Sequence, residues 1–261
     1  MAQPEHGPGR RRILRLLPAV PLLELAGGML PARASGPAPL RLIILNLPPF
    51  GMFDGAGHAA GINPDLAVLL SRESGIALES MMVPYPRAMA MMASGEGDLV
   101  ISISNSHLDA LVRPLAYVFS GEVVVIGRPG LRLNSLADLR GKVVGHIRGA
   151  EYLPAFDSDD AIHKHETISY QQSVQMLLEG RYDAMIGFRP AIFYTLRSLG
   201  KPRSVLGPVL HVGEREVALY ISRKAARQEA AEPLARAMNA LRERGAVKAV
   251  LDRYFGALAP E

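Results

Sequence analysis

The chain has 261 residues, 49% hydrophobic and 21% charged, enough to bury one large domain or two modest ones, which excludes disorder for the bulk of it. The formal net charge of +4 gathers at the front: residues 1 to 34 carry Arg10, Arg11, Arg12, Arg15 and Arg33 against Glu5 and Glu24, leaving 24 basic and 23 acidic side chains elsewhere. A body so near neutrality, without a basic stripe, offers no electrostatic footprint for nucleic acid.

The first 34 residues read as a signal peptide: a basic cluster at Arg10-Arg11-Arg12, an apolar stretch from Ile13 to Leu30, and the small-residue pattern Ala32-Arg33-Ala34. The order Arg10-Arg11-Arg12-Ile13-Leu14-Arg15 also resembles a twin-arginine export signal. Glu24, Pro18 and Pro21 interrupt the apolar stretch and argue against a permanent membrane helix. Residues 35–39 form a linker. No cysteine is present, which fits an oxidising compartment without disulfides and excludes a lipid-anchored cysteine, so a free periplasmic protein is expected.

From Leu40 short β-type runs alternate with helical ones. Arg41 to Leu45 is a strand; Asn63 is expected to cap a helix, with Pro64 first and Asp65 favoured by the helix dipole, and Gly75 ends it. Ile76 to Val83 is a second strand, Arg87 to Ser94 a helix stopping at Gly95, and Asp98 to Ile103 a third strand. This βαβαβ series implies parallel sheet. A second series follows: strand Glu122 to Ile126, a short Ser-capped helix at Ser135 to Arg140, strand Lys142 to Ile147 and a helix near Glu151 to Phe156. Strand Thr167 to Tyr170, helix Gln171 to Glu179, strand Asp183 to Ile186 and helix Pro190 to Leu199 complete it. Val217 to Arg223 is a strand, and Ala230 to Phe255 holds two amphipathic helices that need a sheet to cover, which a return to the first unit would supply.

Gly55-Ala56-Gly57-His58-Ala59-Ala60 matches a dinucleotide-loop pattern formally, but Leu47 to Asp54 separate it from the preceding strand, so it is read as a turn and no cofactor is expected. His163, His165 and Glu166 have a spacing that puts them on or near one strand edge; a solvated edge accounts for them and no metal is expected. Signatures of hydrolysis or phosphoryl transfer are missing: there is no HExxH, GxSxG or GxxxxGK, and no cysteine nucleophile.

A dispersed set of segments, in order over about residues 40 to 256, resembles the polar amino-acid-type family 3 of bacterial extracellular solute-binding proteins. They are Asn46-Leu47-Pro48-Pro49-Phe50, Gly61-Ile62-Asn63-Pro64-Asp65-Leu66-Ala67, Gly95-Glu96-Gly97-Asp98-Leu99-Val100 and Phe119-Ser120-Gly121. Ser135 to Gly145, Leu177 to Ala184 and the closing Tyr254-Phe255-Gly256 follow. The resemblance implies an α/β fold of the type II periplasmic-binding-protein kind. Residues 40–121 and 209–261 would form lobe 1 and residues 122–208 lobe 2, with hinges near Gly121 and Pro208. It further implies a monomer that holds a small molecule between the lobes and hands it to a membrane ABC permease, not an enzyme.

By position in that pattern, Asn46 and Leu47 belong to the ligand loop and Tyr85 stands where an aromatic ring stacks on ligand. Ser102, Ser104 and Asn105 end a strand on the cleft side. Gly149-Ala150-Glu151 replaces a Gly-Ser-Thr turn at a helix N-terminus, with Arg148 beside it. Two departures change the ligand. Where the family holds the ligand carboxylate with an Arg, the chain reads Ser106-His107-Leu108-Asp109-Ala110; where it holds the ammonium with an acid, the chain has Phe188, then Arg189. An ordinary amino acid would lack both partners, at a cost of several kcal/mol. Arg87 and Arg189, facing the cleft from opposite lobes, would instead favour an anionic or aromatic acid. A sensory receptor on the same fold remains open, as does a dehydratase-like enzyme using Glu151 and His146 as acid and base.

The leader reading has a direct check. Mass spectrometry of exported protein should find Ser35 or a close neighbour as the first residue, and Arg10→Lys with Arg11→Lys should block export if the twin-arginine route is used.

Overall fold

The computed structural model describes residues 37–256; the expected leader lies outside them. Strand β1 (Leu40–Leu45) buries side chains on both faces, and the hairpin β2 (Met52–Phe53) and β3 (Ala59–Ala60) follows it. Asp54 Oδ1 accepts from the amides of Ala56 and His58 inside that hairpin, so the Gly55–Gly57 stretch closes a turn rather than joining a strand to a helix. Next come α1 (Ile62–Ser74), β4 (Leu78–Val83), α2 (Tyr85–Ser94), β5 (Leu99–Ile103) and α3 (Ser106–Leu111). The 16-residue β6 (Val112–Gly127) leads to β7 (Val143–Ile147), α4 (Pro154–Asp157), β8 (His163–Thr167) and α5 (Tyr170–Leu178). The chain ends with β9 (Ala184–Phe188), α6 (Arg189–Ser198), β10 (Val209–Ser222), α7 (Ala231–Glu243) and α8 (Ala246–Phe255).

Eight strands form one curled sheet in the order β4-β1-β5-β10-β6-β9-β7-β8. At its centre β6 and β10 pair antiparallel along nearly their whole length. On one side β1 pairs parallel with β4 and β5; on the other β7 pairs parallel with β8 and β9. Each parallel set follows a βαβαβ order with its first strand in the middle, as the two sequence series imply. Parallel strands need both faces covered, and β1 shows how: Leu42 and Ile44 join the large core beneath α1, α7 and α8, while Ile43 joins a smaller one with Ala88, Met91 and Met92 of α2. The amphipathic C-terminal helices pack back on the first half of the chain, α7 against α1 and β6 and α8 against α1, and α8 also meets α6 of the second series. Arg253 on Asp65 (2.7 Å) and Arg244 on Glu73 (2.5 Å) pin them to α1.

Several expected boundaries move. Asn63 is not a cap: α1 starts at Ile62 after Gly61, whose φ of 118° and tight fit against the Pro49 carbonyl suit only glycine, and Asn63 is buried in the first turn. Strand β6 begins ten residues before Glu122; Pro114 within it lacks an N–H and disguises the pattern. The strand expected at Thr167 to Tyr170 lies at His163–Thr167, a polar edge strand paired only with β7, and Tyr170 opens α5 behind the Ser169 cap. His163 and His165 are exposed there, and among the described residues no group of His, Asp and Glu has metal-site geometry. Nor, among them, is any helix long and apolar enough to cross a membrane.

His146, in the middle of β7, packs edge-on against Phe156 (ring centroids 6.5 Å apart). Burial lowers its pKa below the ordinary histidine value, against the opposing pull of Glu166 and Asp157. The folded state therefore binds this proton less readily than the unfolded one, so the stability it contributes is complete above about pH 6.5 and is lost as pH falls toward the folded pKa. Thermal melts should show a Tm that declines over that window, with the decline reduced in His146→Gln.

Candidate ligand-binding cleft

Both parallel strand sets point their carboxyl ends at the same cavity, the place where open α/β sheets collect ligands. Ile101, Ser102 and Ile103 reach it from β5, Leu45 from β1, Ile147 from β7 and Phe188 from β9. The cavity volume is about 70 Å³, a small space open on one side to solvent.

Of the residues expected from sequence, Leu47, Tyr85, Ser102, Asn105, Arg148, Gly149, Ala150 and Phe188 line this cavity. Tyr85 is the first residue of α2, preceded by Pro84 and followed by Pro86, which fix the helix entry. Its hydroxyl donates to Asn105 Oδ1 at 3.5 Å, and that same oxygen caps α3 by accepting from the Leu108 amide at 2.9 Å. The Tyr85 ring lies against Gly149, where any Cβ would overlap it. Partial burial raises the Tyr85 pKa, with Glu151 adding to the effect and the Asn105 bond opposing it.

The other expected residues have different roles. Asn46 is exposed, its amide bonded to the Val83 carbonyl. Arg87 pairs with Glu96 at 2.9 Å on the outer surface of α2, because two positions after Tyr85 the helix has turned it away from the cavity. Arg189 pairs with Glu122 at 2.9 Å, beside His211, and its guanidinium sits over the Phe193 ring. Burial alone would raise the Glu122 pKa, but the bonds from Arg189 and His211 outweigh it and hold the carboxyl below its ordinary value. Neither arginine lines the cavity, which removes the basis for an acidic ligand held by this pair. Ser104 gives its carbonyl and hydroxyl to Arg215 (2.7 and 3.1 Å). Gly149-Ala150-Glu151 is not at a helix N-terminus: α4 begins only at Pro154 and the Ala150 amide is spent on the Ile147 carbonyl. Glu151 instead accepts from the amide and hydroxyl of Ser106 (3.1 and 2.5 Å), joining the turn after β7 to the start of α3. Held there, it does not converge with His146 on a substrate; neither residue lines the cavity.

Sequence reasoning missed Phe50, Asn63, Tyr152 and Tyr170, which also line the cavity. Phe50 links Phe119, Phe188 and Phe255, with ring centroids 6.1 to 6.5 Å apart, into a cluster below the cavity. Tyr170 accepts from the Phe188 amide at 3.2 Å, and burial pushes its pKa up to about 12. In sequence an Asn before Pro reads as a helix cap, and the tyrosines look like ordinary core residues. Arg148 is the one charged side chain in the wall among the described residues, and its Nε already donates to Glu166 at 2.9 Å.

Residues 41–257 match the model of the bacterial extracellular solute-binding proteins, family 3. The probable amino-acid-binding protein YxeM of Bacillus subtilis (strain 168) is 19% identical over 206 residues, 76% of this chain and 77% of that protein. Among solved structures, the arginine-, lysine-, histidine-binding protein ArtJ from Geobacillus stearothermophilus aligns with a TM-score of 0.71 at 16% identity, covering 84% of this chain and 96% of that one. A histidine kinase sensor domain with similarity to periplasmic binding proteins aligns with a TM-score of 0.73 at 19% identity, covering 86% and 98%. The neighbours share the periplasmic-binding-protein type of α/β fold, and they are binding or sensing proteins rather than enzymes. With the family pattern matched over most of its length and its cavity at the carboxyl ends of two parallel strand sets, this chain belongs to the bacterial extracellular solute-binding proteins of family 3.

Proposed function

We propose that the chain captures a small molecule in this cavity by closing two lobes around it, residues 40–121 with 209–261 against residues 122–208, and delivers it in the periplasm to an ABC permease. The observation that carries the reading is that the cavity wall is built from both sequence series at once. Tyr85 and Asn105 come from the first; Gly149, Tyr152 and Phe188 come from the second. Two contacts fasten the series together across it, Tyr85 on Gly149 and Glu151 on Ser106. The hinge strands are β6 and β10. Pairing with β9 begins on β6 at Val123 and pairing with β5 begins on β10 at Val217, so Ser120 to Glu122 and Glu214 to Glu216 pair only with each other, which favours moving the second hinge from Pro208 to this stretch and transferring residues 209–213 to lobe 2.

A ligand touching both lobes shifts the population toward the closed form by its differential affinity for that form. The ligand is not an ordinary amino acid on this reading. Phe188 fills the wall where an ammonium partner would stand, and Ala110 lies on α3 where a carboxylate-binding Arg would be. A sensory role is the second reading, favoured by the likeness to the histidine kinase sensor domain. Loss of solute uptake on deletion of the chain distinguishes importer from sensor.

Calorimetry with the twenty common L-amino acids should give no dissociation constant at or below about a micromolar, roughly 8 kcal/mol. One such amino acid would show that the lost anchors have been replaced. X-ray scattering should report compaction when a ligand from a solute screen is added. Glu151→Ala should weaken that closure by about 1 kcal/mol, the worth of a partly exposed charged hydrogen bond. No compaction with any binder would reject the two-lobe mechanism.

A further inference from the structure

Arg148 stands at the cavity with most of its hydrogen-bonding capacity unspent. It follows the last residue of β7, where its own amide donates to the Thr167 carbonyl of β8 at 2.9 Å and Gly149 turns the chain at a φ of 73°. Its neighbours Ile147 and Gly149 are wall residues as well, so the backbone here is fixed against the cavity. The Arg148 Nε donates to Glu166 at 2.9 Å, and among the described residues its two terminal nitrogens have no acceptor in the protein. A guanidinium is a planar fork of N–H groups, and one carboxylate on Nε leaves the terminal edge available for a second acceptor. The Glu166 bond thus fixes the plane of the fork and leaves its far side to bind.

The charge also stands where an ion is least costly to bind. The Arg148 side chain is 48% exposed, which places it at the side where the cavity opens to solvent, whereas Phe188 and Tyr170 in the same wall are 7% and 2% exposed. An anion beside Arg148 keeps part of its hydration and gains a charge-assisted bond, so the penalty for burying an isolated charge is largely avoided. Away from Arg148 the wall is mainly aliphatic and aromatic, with Leu45, Ile101, Ile103, Phe188 and Val217, and among the described residues it holds no Asp or Glu. An ammonium would therefore meet a like charge and no counter-ion. The space is also short: at about 70 Å³ it is roughly half the size of an apolar cavity that admits benzene, so it suits a short aliphatic chain.

Resting on the cleft reading above, we propose that the ligand is a short-chain monocarboxylate without an ammonium group, its carboxylate held by the terminal guanidinium nitrogens of Arg148 at the mouth and its apolar body turned inward against Phe188 and Val217. Arg148 is then the specificity-determining residue of the cleft. It supplies from the second sequence series the anion partner that Ala110 of α3 does not supply from the first.

Isovalerate, isovaleramide, isoamylammonium and L-valine share a branched chain and differ in charge, which makes them a matched set. Calorimetry on the full chain at millimolar probe should give isovalerate an affinity at least about tenfold above each of the other three. Arg148→Gln should lower isovalerate affinity by about tenfold or more and leave isovaleramide within about twofold, and Arg148→Lys, which keeps the charge but not the fork, should lose less. An equal fall for acid and amide in Arg148→Gln would mark a residue that only shapes the turn, and that result overturns its role. Any of the other three probes binding as well as isovalerate, or none of the four binding, overturns the anionic class. Phe188→Leu separates that failure from failure of the cleft itself. A probe of any charge whose affinity falls in this variant leaves the cleft reading standing, whereas probes that bind and are unaffected by both Phe188→Leu and Arg148→Gln occupy another place, and the cleft reading falls with them.

Discussion

The long antiparallel ladder between β6 and β10 is the constraint on which the remaining architecture depends. Each parallel set of three strands is attached to it by a single edge, β5 to β10 on one side and β9 to β6 on the other. A parallel set with helices on its faces has its carboxyl ends free. Because the two sets flank one antiparallel pair, those ends face each other over its middle, and a cavity at that point needs no dedicated element. Register shifts on the ladder between His211 and Gly213, Val217 and Ala218, and Leu219 and Tyr220 add local twist, which suits a sheet that must curl around a cleft.

Charge at that cavity is limited and paired, with Arg148 alone in its wall among the described residues. Arg87, Arg148 and Arg189 all lie close to it in sequence, and each is held by a carboxylate: Glu96, Glu166 and Glu122. These pairs are exposed or half-exposed, so each stabilises the fold little, but each gives its guanidinium a carboxylate partner, and Arg87 and Arg189 lie off the cavity wall. Apart from Arg148, the wall is aliphatic and aromatic surface with a few amide and hydroxyl groups. Phe188 adds to that surface, its ring fitting against Gly121 on β6 so closely that a Cβ there would overlap it.

The alternation of strands and helices was legible because helix ends are written in local chemistry: Gly75 and Gly95 follow α1 and α2, and Ser135 and Asp138 form a capping box. The long strands were half legible, since Pro114 and the polar run His163 to Glu166 break the apolar rhythm that marks a strand. In the cleft, position along the chain identified Tyr85, Gly149 and Phe188 but failed for Arg87 and Arg189, whose direction depends on helix phase and on carboxylates distant in sequence. Asn63 shows the limit most clearly. An Asn before Pro at a helix start reads as a cap, and only the tertiary approach of β5, whose Ile101 carbonyl takes its Nδ2, turns it into a wall residue.

Gly149 joins the two sequence series at the cavity. Its φ of 73° lies in the left-handed region, and the space a Cβ would need is occupied by the Tyr85 ring from the other sequence series. Two independent requirements, one from the local turn and one from the contact across the cavity, thus coincide on one residue. The turn is needed whether or not the proposed lobes are closed; the contact exists only when they meet. Glu151, two residues on, reaches Ser106 at the same seam, so the turn after β7 carries both a steric fit and a charge-assisted bond to the opposite side. With such contacts formed by the protein itself, closure of the proposed lobes would not rest on the ligand alone. On that proposal a ligand would have to supply only the remaining difference in free energy between the two states.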